Sequence, residues 1–175
     1  MQDEVVDVRV AAIHGVANIL ARFWTIFATD DIEKFMIILV KHLANDMASP
    51  KVRIAVVKGM IHLVQNCPRA HGYLKKILPK LQDLLFDSNE SVKLSLIDLL
   101  ISVKSIKTIQ FWHICPLENI LDRLMKDKKS VSAKITQLLF NSFFPLDQDD
   151  EAKLERCVFL IDHDLDAARY ESYFV

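Results

Sequence analysis

Apolar residues recur along this chain at spacings of three and four, in four stretches that superpose on one another. After Val8 come Ala11, Ala12, Gly15, Val16, Ile19 and Leu20; after Val52 come Ala55, Val56, Gly59, Met60, Leu63 and Val64. After Val92 the series is Leu96, Leu99, Leu100 and Val103, and after Val131 it is Ile135, Leu138, Leu139 and Phe143. Such spacing gathers side chains on one stripe of a helix. The leading valines stand 44, 40 and 39 residues apart, which reads as one helical hairpin per repeat.

The polar positions repeat in the same register. Arg9, Arg53 and Lys93 follow the first three valines, and Ser132 stands where a fourth cation would be. Asp3, Asp46, Asp87 and Asp127 precede the valines by four to six residues. The pattern predicts an all-α, HEAT/armadillo-like α-α superhelix, a right-handed solenoid of helical hairpins. It also predicts a ladder in which Arg9, Arg53 and Lys93 pair with the acidic turns at Asp46, Asp87 and Asp127; Ser132 would lack that contact.

Local signals place the helices. The first is expected from Val5 to Phe23, and a second, capped by Thr29 or by Asp30 with Glu33 at capping-box spacing, through Asn45. Ser49-Pro50 supplies an N-cap and a first-turn proline for a helix through Gln65. Helices at 69–85 and 91–103 follow, with Pro79 kinking the former. A short helix at 105–113 should break at Cys115-Pro116, ahead of helices at 116–125 and 130–144. Two last helices are expected at 149–161 and 164–170. The domain reading is a HEAT-repeat array over 1–144 that begins mid-repeat, and an acidic helical extension of the same array over 145–175.

Composition narrows the picture. With 51% hydrophobic residues, 3 glycines and 5 prolines, the chain should be packed along most of its length. No polar capping helix is evident at either end, so the chain reads as a fragment or short product of a longer array. Net charge is -1, yet residues 31–87 carry nine Lys/Arg against five Asp/Glu, residues 88–144 eight against five, and residues 145–175 three against nine. A basic middle of this size permits contact with a phosphate backbone or an acidic peptide. The candidate contacts are Lys51, Lys58, Lys75, Lys76, Lys80, Lys104, Lys107, Lys128, Lys129 and Lys134. Cys67, Cys115 and Cys157 show no pairing pattern, as expected of thiols in a reducing compartment. The acidic start offers no signal peptide, and Phe35–Val40 is too short an apolar run to span a bilayer.

Catalytic chemistry finds no footing. Three glycines at 15, 59 and 72 build no phosphate loop, and no nucleophile elbow is present. His62, Cys67 and His71 have the spacing of half a zinc site but lack a fourth ligand nearby. Asp162-His163-Asp164 comes without a nucleophile. No enzyme activity, metal, cofactor, membrane or small-molecule substrate is expected. The aromatic groups Phe23, Trp24 and Phe27, and Phe111 and Trp112, sit at helix ends; packing between repeats is their default role, and a peptide-binding pocket the alternative.

Three stretches carry a resemblance. The segment Phe111-Trp112-His113-Ile114-Cys115-Pro116-Leu117-Glu118-Asn119-Ile120-Leu121, and later Leu138-Leu139-Phe140-Asn141-Ser142-Phe143-Phe144-Pro145, are similar to corresponding stretches of the condensin II HEAT subunits of the G class. Glu155-Arg156-Cys157-Val158, with Ala167-Ala168-Arg169 after it, resembles that family's continuation. The resemblance covers residues 83–172 well and the rest through the HEAT pattern; family members are several-fold longer. It implies a non-catalytic regulatory scaffold in the nucleus, on mitotic chromosomes, whose partners are a kleisin subunit, the SMC ATPase pair of condensin II and duplex DNA. The competing reading is a generic HEAT-repeat adaptor that binds an extended peptide and has no chromosomal role.

Overall fold

The computed structural model describes residues 3–143 and 150–163, and the regular structure among them is helical. The α-helices are α1 (Val6–Phe23), α2 (Thr29–Ile37), α3 (Pro50–Asn66), α4 (His71–Ile77), α5 (Glu90–Lys104), α6 (Leu117–Lys126), α7 (Lys129–Phe143) and α8 (Asp150–His163). The chain forms two compact units, one up to Cys115 and one from Pro116 onward. The helix expected at 164–170 and the junction at Pro145 lie outside the described residues.

In the first unit α1 packs on α3 and α3 on α5, so one layer consists of the helices that follow the repeated valines. The intervening segments, 29–45 and 68–86, pack on each other and on α3 and α5 as the second layer. Stacked helical hairpins of this kind are the HEAT/armadillo-like α-solenoid arrangement.

The central helix shows what the stacking requires. α3 buries Val52, Arg53, Ala55, Val56, Val57, Gly59, Met60, Leu63 and Val64, far more than one stripe, because neighbours meet it on several sides. α1 buries only Arg9, Ile13, Ala17 and Leu20. Val8 and Ile19 remain 49% and 47% exposed, whereas their repeat counterparts Val52 and Leu63 are wholly buried. Gly59 marks the closest approach: a Cβ there would stand 3.3 Å from Ala17 Cβ and 3.7 Å from Ile13 Cγ2. Gly15, its counterpart on α1, has nothing within 4 Å of such an atom.

Several local expectations are corrected. Ala28, not Thr29 or Asp30, is the N-cap of α2, and no side chain caps it. Thr29, Asp30 and Asp31 instead lie in its first turn, where the carboxylates complement the helix dipole. The segment then widens to a π-turn at Ile38–His42 and tightens to a 3₁₀ turn at Leu43–Asn45. Pro79 follows the end of α4, and the chain continues as a 3₁₀ stretch, Leu78–Phe86, because the proline nitrogen cannot serve an α-helical hydrogen bond. Residues 105–110 are not helical; only a 3₁₀ turn forms at Phe111–His113. The β-branched Ile106, Thr108 and Ile109 disfavour a helix there. Ile109, Phe111, Ile114 and Cys115 are nevertheless buried, and the turn packs on α5.

The second unit pairs α6 with α7 and α7 with α8. α6 buries Ile120, Leu121 and Leu124, while Val131, Ile135, Leu138 and Leu139 form the buried stripe of α7.

Candidate functional site

The polar groups with the most definite geometry sit at the joints between hairpins. At the joints ahead of α3 and α5 an aspartate first organises its own turn. Asp46 Oδ1 accepts from the backbone N–H groups of Ala48 and Ser49, both at 2.9 Å, and Asp87 Oδ1 accepts from Asn89 N–H at 2.8 Å. These bonds satisfy backbone donors ahead of the next helix, and Asn89 then caps α5 through Ser91 N–H at 3.0 Å. Ser49, the N-cap residue of α3, contributes no capping side chain.

The arginines then lock the turns. Arg53 donates from Nε and Nη2 to the two carboxylate oxygens of Asp87, at 2.7 and 2.9 Å, in a bidentate fork. Its Nη1 donates to the backbone carbonyl of Asp46 at 2.6 Å. One side chain thereby ties together two successive joints. Arg9 reaches Asp46 Oδ2 at 3.2 Å and the carbonyls of Asp3 and Glu4 at 2.6 and 3.1 Å, but its buried Nε has no hydrogen-bond partner. Both arginines are largely buried, so neither is placed to serve as an open phosphate contact. Lys93 is half-buried on α5 in the first unit, and Asp127 belongs to the second.

Ser132 solves the same problem with a smaller group. Its buried hydroxyl donates to the Leu124 carbonyl at 2.7 Å and lies 3.5 Å from the carbonyl of Asp127. The backbone part of the clamp therefore persists where the sequence pattern suggested that contact would be lost. Thr136 Oγ1 donates in turn to the Ser132 carbonyl at 3.1 Å.

The candidate phosphate-contact lysines divide among separate surfaces. Lys51 and Lys58 are exposed on α3, seven positions apart and on one face. Lys75 and Lys76 are exposed on α4 and Lys80 on the 3₁₀ stretch after it, in the other layer. Lys104 ends α5 half-buried, and desolvation lowers its ammonium below the usual lysine range; Lys107 is exposed in the following turn. Lys128 and Lys129 are exposed at the start of α7, with Lys134 half-buried one turn on. Within the first unit the cations thus occupy both layers rather than a single row.

The half-site His62, Cys67 and His71 is used locally. His71 Nε2 lies 2.8 Å from the Val64 carbonyl, His62 Nδ1 lies 3.1 Å from the Asn66 amide nitrogen, and Cys67 is buried. Among the described residues no group of three His, Cys, Asp or Glu side chains is disposed to hold a metal ion, and no helix is long and apolar enough to cross a membrane. Burial, with the nearby Asp83 carboxylate as a lesser cause, pushes the Cys115 thiol up to about 12. The side chains of Cys157 and of Asp162-His163-Asp164 lie outside the described residues.

The aromatic groups are split. Phe27 meets Phe35 edge to face at 6.2 Å, and Trp24 meets Tyr73 at 6.0 Å. Phe111 is buried against Trp112 at 5.0 Å, yet Phe23 and Trp112 are each 47% exposed. Two arginines not singled out by the repeat pattern, Arg22 and Arg69, line one cleft beside Trp24. No periodicity links positions 22 and 69; only the α1–α3 packing brings them together.

Fold and joints together define the class of protein: a HEAT/armadillo-like helical-hairpin scaffold whose most developed polar constellation is structural. No family model and no solved structure matches the chain. Its sequence is 40% identical to condensin-2 complex subunit G2 of Danio rerio over 162 residues, 93% of this chain and 14% of that protein. It is 38% identical to condensin-2 complex subunit G2 of Xenopus laevis over 162 residues, again 93% and 14%, and 34% identical to that of Homo sapiens over 169 residues, 97% and 15%. The chain is a homologue of condensin-2 complex subunit G2, and it spans about one seventh of the length of these curated relatives.

Proposed function

We propose that this chain is a non-catalytic scaffold segment of the condensin II regulatory subunit, acting in the nucleus on mitotic chromosomes. The observation that carries the reading is identity of 34–40% to condensin-2 subunit G2 proteins across 93–97% of the chain. The fold is compatible with it: in the first unit the hairpins are locked to one another at their joints, which suits a subunit that positions other chains and performs no chemistry of its own. In this reading the segment contributes to binding the kleisin subunit and, through it, the SMC ATPase pair. Exposed lysines such as Lys51, Lys58, Lys128 and Lys129 supply sequence-independent contacts to duplex DNA.

Affinity co-purification of the tagged chain from mitotic nuclear extract tests this directly. Specific recovery of a kleisin with an SMC pair is the expected result. Recovery of neither, from a sample shown to be folded, would favour a HEAT-repeat adaptor without a chromosomal role.

A further inference from the structure

Beside the clamped joints, the opposite ends of α1 and α3 leave a cleft of about 310 Å³. Arg22, Trp24 and Thr25 line it from the end of α1, and Asn66, Pro68 and Arg69 from the end of α3. The two arginines differ from Arg9, Arg53 and Arg123. Arg9 and Arg53 are buried in ion pairs, and Arg123 pairs with Asp122. Arg22 and Arg69 are both exposed, and neither has an ion-pair or hydrogen-bond partner among the described residues. Compensation of a helix dipole accounts for one of them, since Arg22 lies in the last turn of α1. It does not account for Arg69, which lies beyond the end of α3 in the 3₁₀ turn Pro68–Ala70.

The geometry points to a docking cleft for an acidic peptide segment, whose carboxylates Arg22 and Arg69 would grip from the two sides. A guanidinium matches a carboxylate with two parallel N–H donors, so two unsatisfied guanidinium groups across one cleft favour paired acidic side chains. Trp24, held edge to face against Tyr73, gives the cleft a rigid aromatic wall. Phe23 and Ile26, 47% and 75% exposed in the same turn, offer apolar surface for a neighbouring side chain of the peptide. Duplex DNA is the poorer fit. A cleft of about 310 Å³ admits one or two side chains, whereas a duplex presents its phosphates on a broad convex surface. The inference concerns a different surface from the lysines assigned to DNA, and it does not depend on membership of a condensin complex.

Fluorescence anisotropy on the full chain tests it, with a short fluorescein-labelled peptide of aspartates and glutamates around a single phenylalanine. The parent chain should bind. Arg22→Gln with Arg69→Gln should weaken binding about tenfold or more, and Arg22→Lys with Arg69→Lys should weaken it to a lesser degree, because charge is kept while the bidentate fork is lost. Lys34→Gln with Lys41→Gln, which removes two exposed cations elsewhere, should change affinity by less than about twofold. Thermal midpoints measured on every variant separate loss of binding from loss of fold, and the lysine pair serves if the glutamine pair unfolds. Three results would overturn the inference: no binding by the parent chain, an equal loss in the Lys34/Lys41 variant, or weakened binding of a short duplex DNA by the arginine variants with the peptide unaffected.

Discussion

At the scale of single residues, the joints show how much a charged side chain contributes when each of its donors is used. Arg53 spends two donors on Asp87 and a third on the Asp46 carbonyl, with side-chain exposures of 11% for Arg53 and 8% for Asp87. Removing one member of such a pair leaves the other charge buried and unanswered, so Arg53→Ala should cost about 3 kcal/mol. Arg9→Ala should cost less, because Arg9 meets Asp46 through one nitrogen and leaves Nε unbonded. Urea denaturation of the two variants checks the order; equal losses would contradict it. Cys115 permits a pH test. Its thiol is held neutral up to about 12, against an ordinary 9.0, so the folded state keeps a proton that the unfolded chain releases as pH rises past 9. Stability should therefore fall with pH above about 9, by at most ~1.4 kcal/mol per pH unit from this group. Cys115→Ala should flatten that slope in urea midpoints measured across the alkaline range, while an identical slope in parent and variant would assign the loss to other groups. The spacing of valine, cation and aspartate made the joint residues visible in the sequence, because those positions repeat. Nothing in the sequence showed that Ser132 would take over part of the clamp, since a hydroxyl can replace a guanidinium only when the carbonyls come within reach.

At the scale of elements, helix positions were legible where apolar spacing and proline agreed, as at Pro50. They were not legible where tertiary packing decided. The stretch at 105–110 carries buried residues without a helix, and the segment 29–45 changes pitch twice although its apolar spacing suggested one continuous helix. The two glycines provide a matched comparison, being the same residue in the same repeat register on neighbouring helices. Gly15→Ala should stabilise by up to about 1 kcal/mol, the gain in helix propensity, because nothing stands within 4 Å of the added carbon. Gly59→Ala should destabilise, because the same propensity gain of about 1 kcal/mol is set against overpacking of about 1–3 kcal/mol where the added carbon meets Ala17 Cβ at 3.3 Å, an atom that cannot swing aside. Thermal midpoints of the two variants should move in opposite directions; movement in the same direction would mean that α1 and α3 part without cost.

At the scale of the whole molecule, the basic balance of residues 31–144 was evident from composition, but its disposition was not. The lysines fall on both layers of the first unit and at the start of α7, so the DNA contact proposed for them would be a sum of separate local contributions. Changing Lys128 and Lys129 together to glutamate should weaken DNA retention and make the salt dependence shallower. Unchanged retention across a salt titration would remove that turn from the interface. The cleft beside Trp24 is invisible in the repeat pattern for a related reason: its two arginines belong to different repeat positions and come together only through packing.

Asp46 gives the stack one further property. Its carboxylate serves Arg9 while its carbonyl serves Arg53, so a single residue is the shared fastener of consecutive rungs. Disruption of this one joint would leave Arg9 without its carboxylate and Arg53 without its carbonyl at the same time. A proteolytic nick at 46–49 should therefore loosen the hairpins on both sides of the cut together.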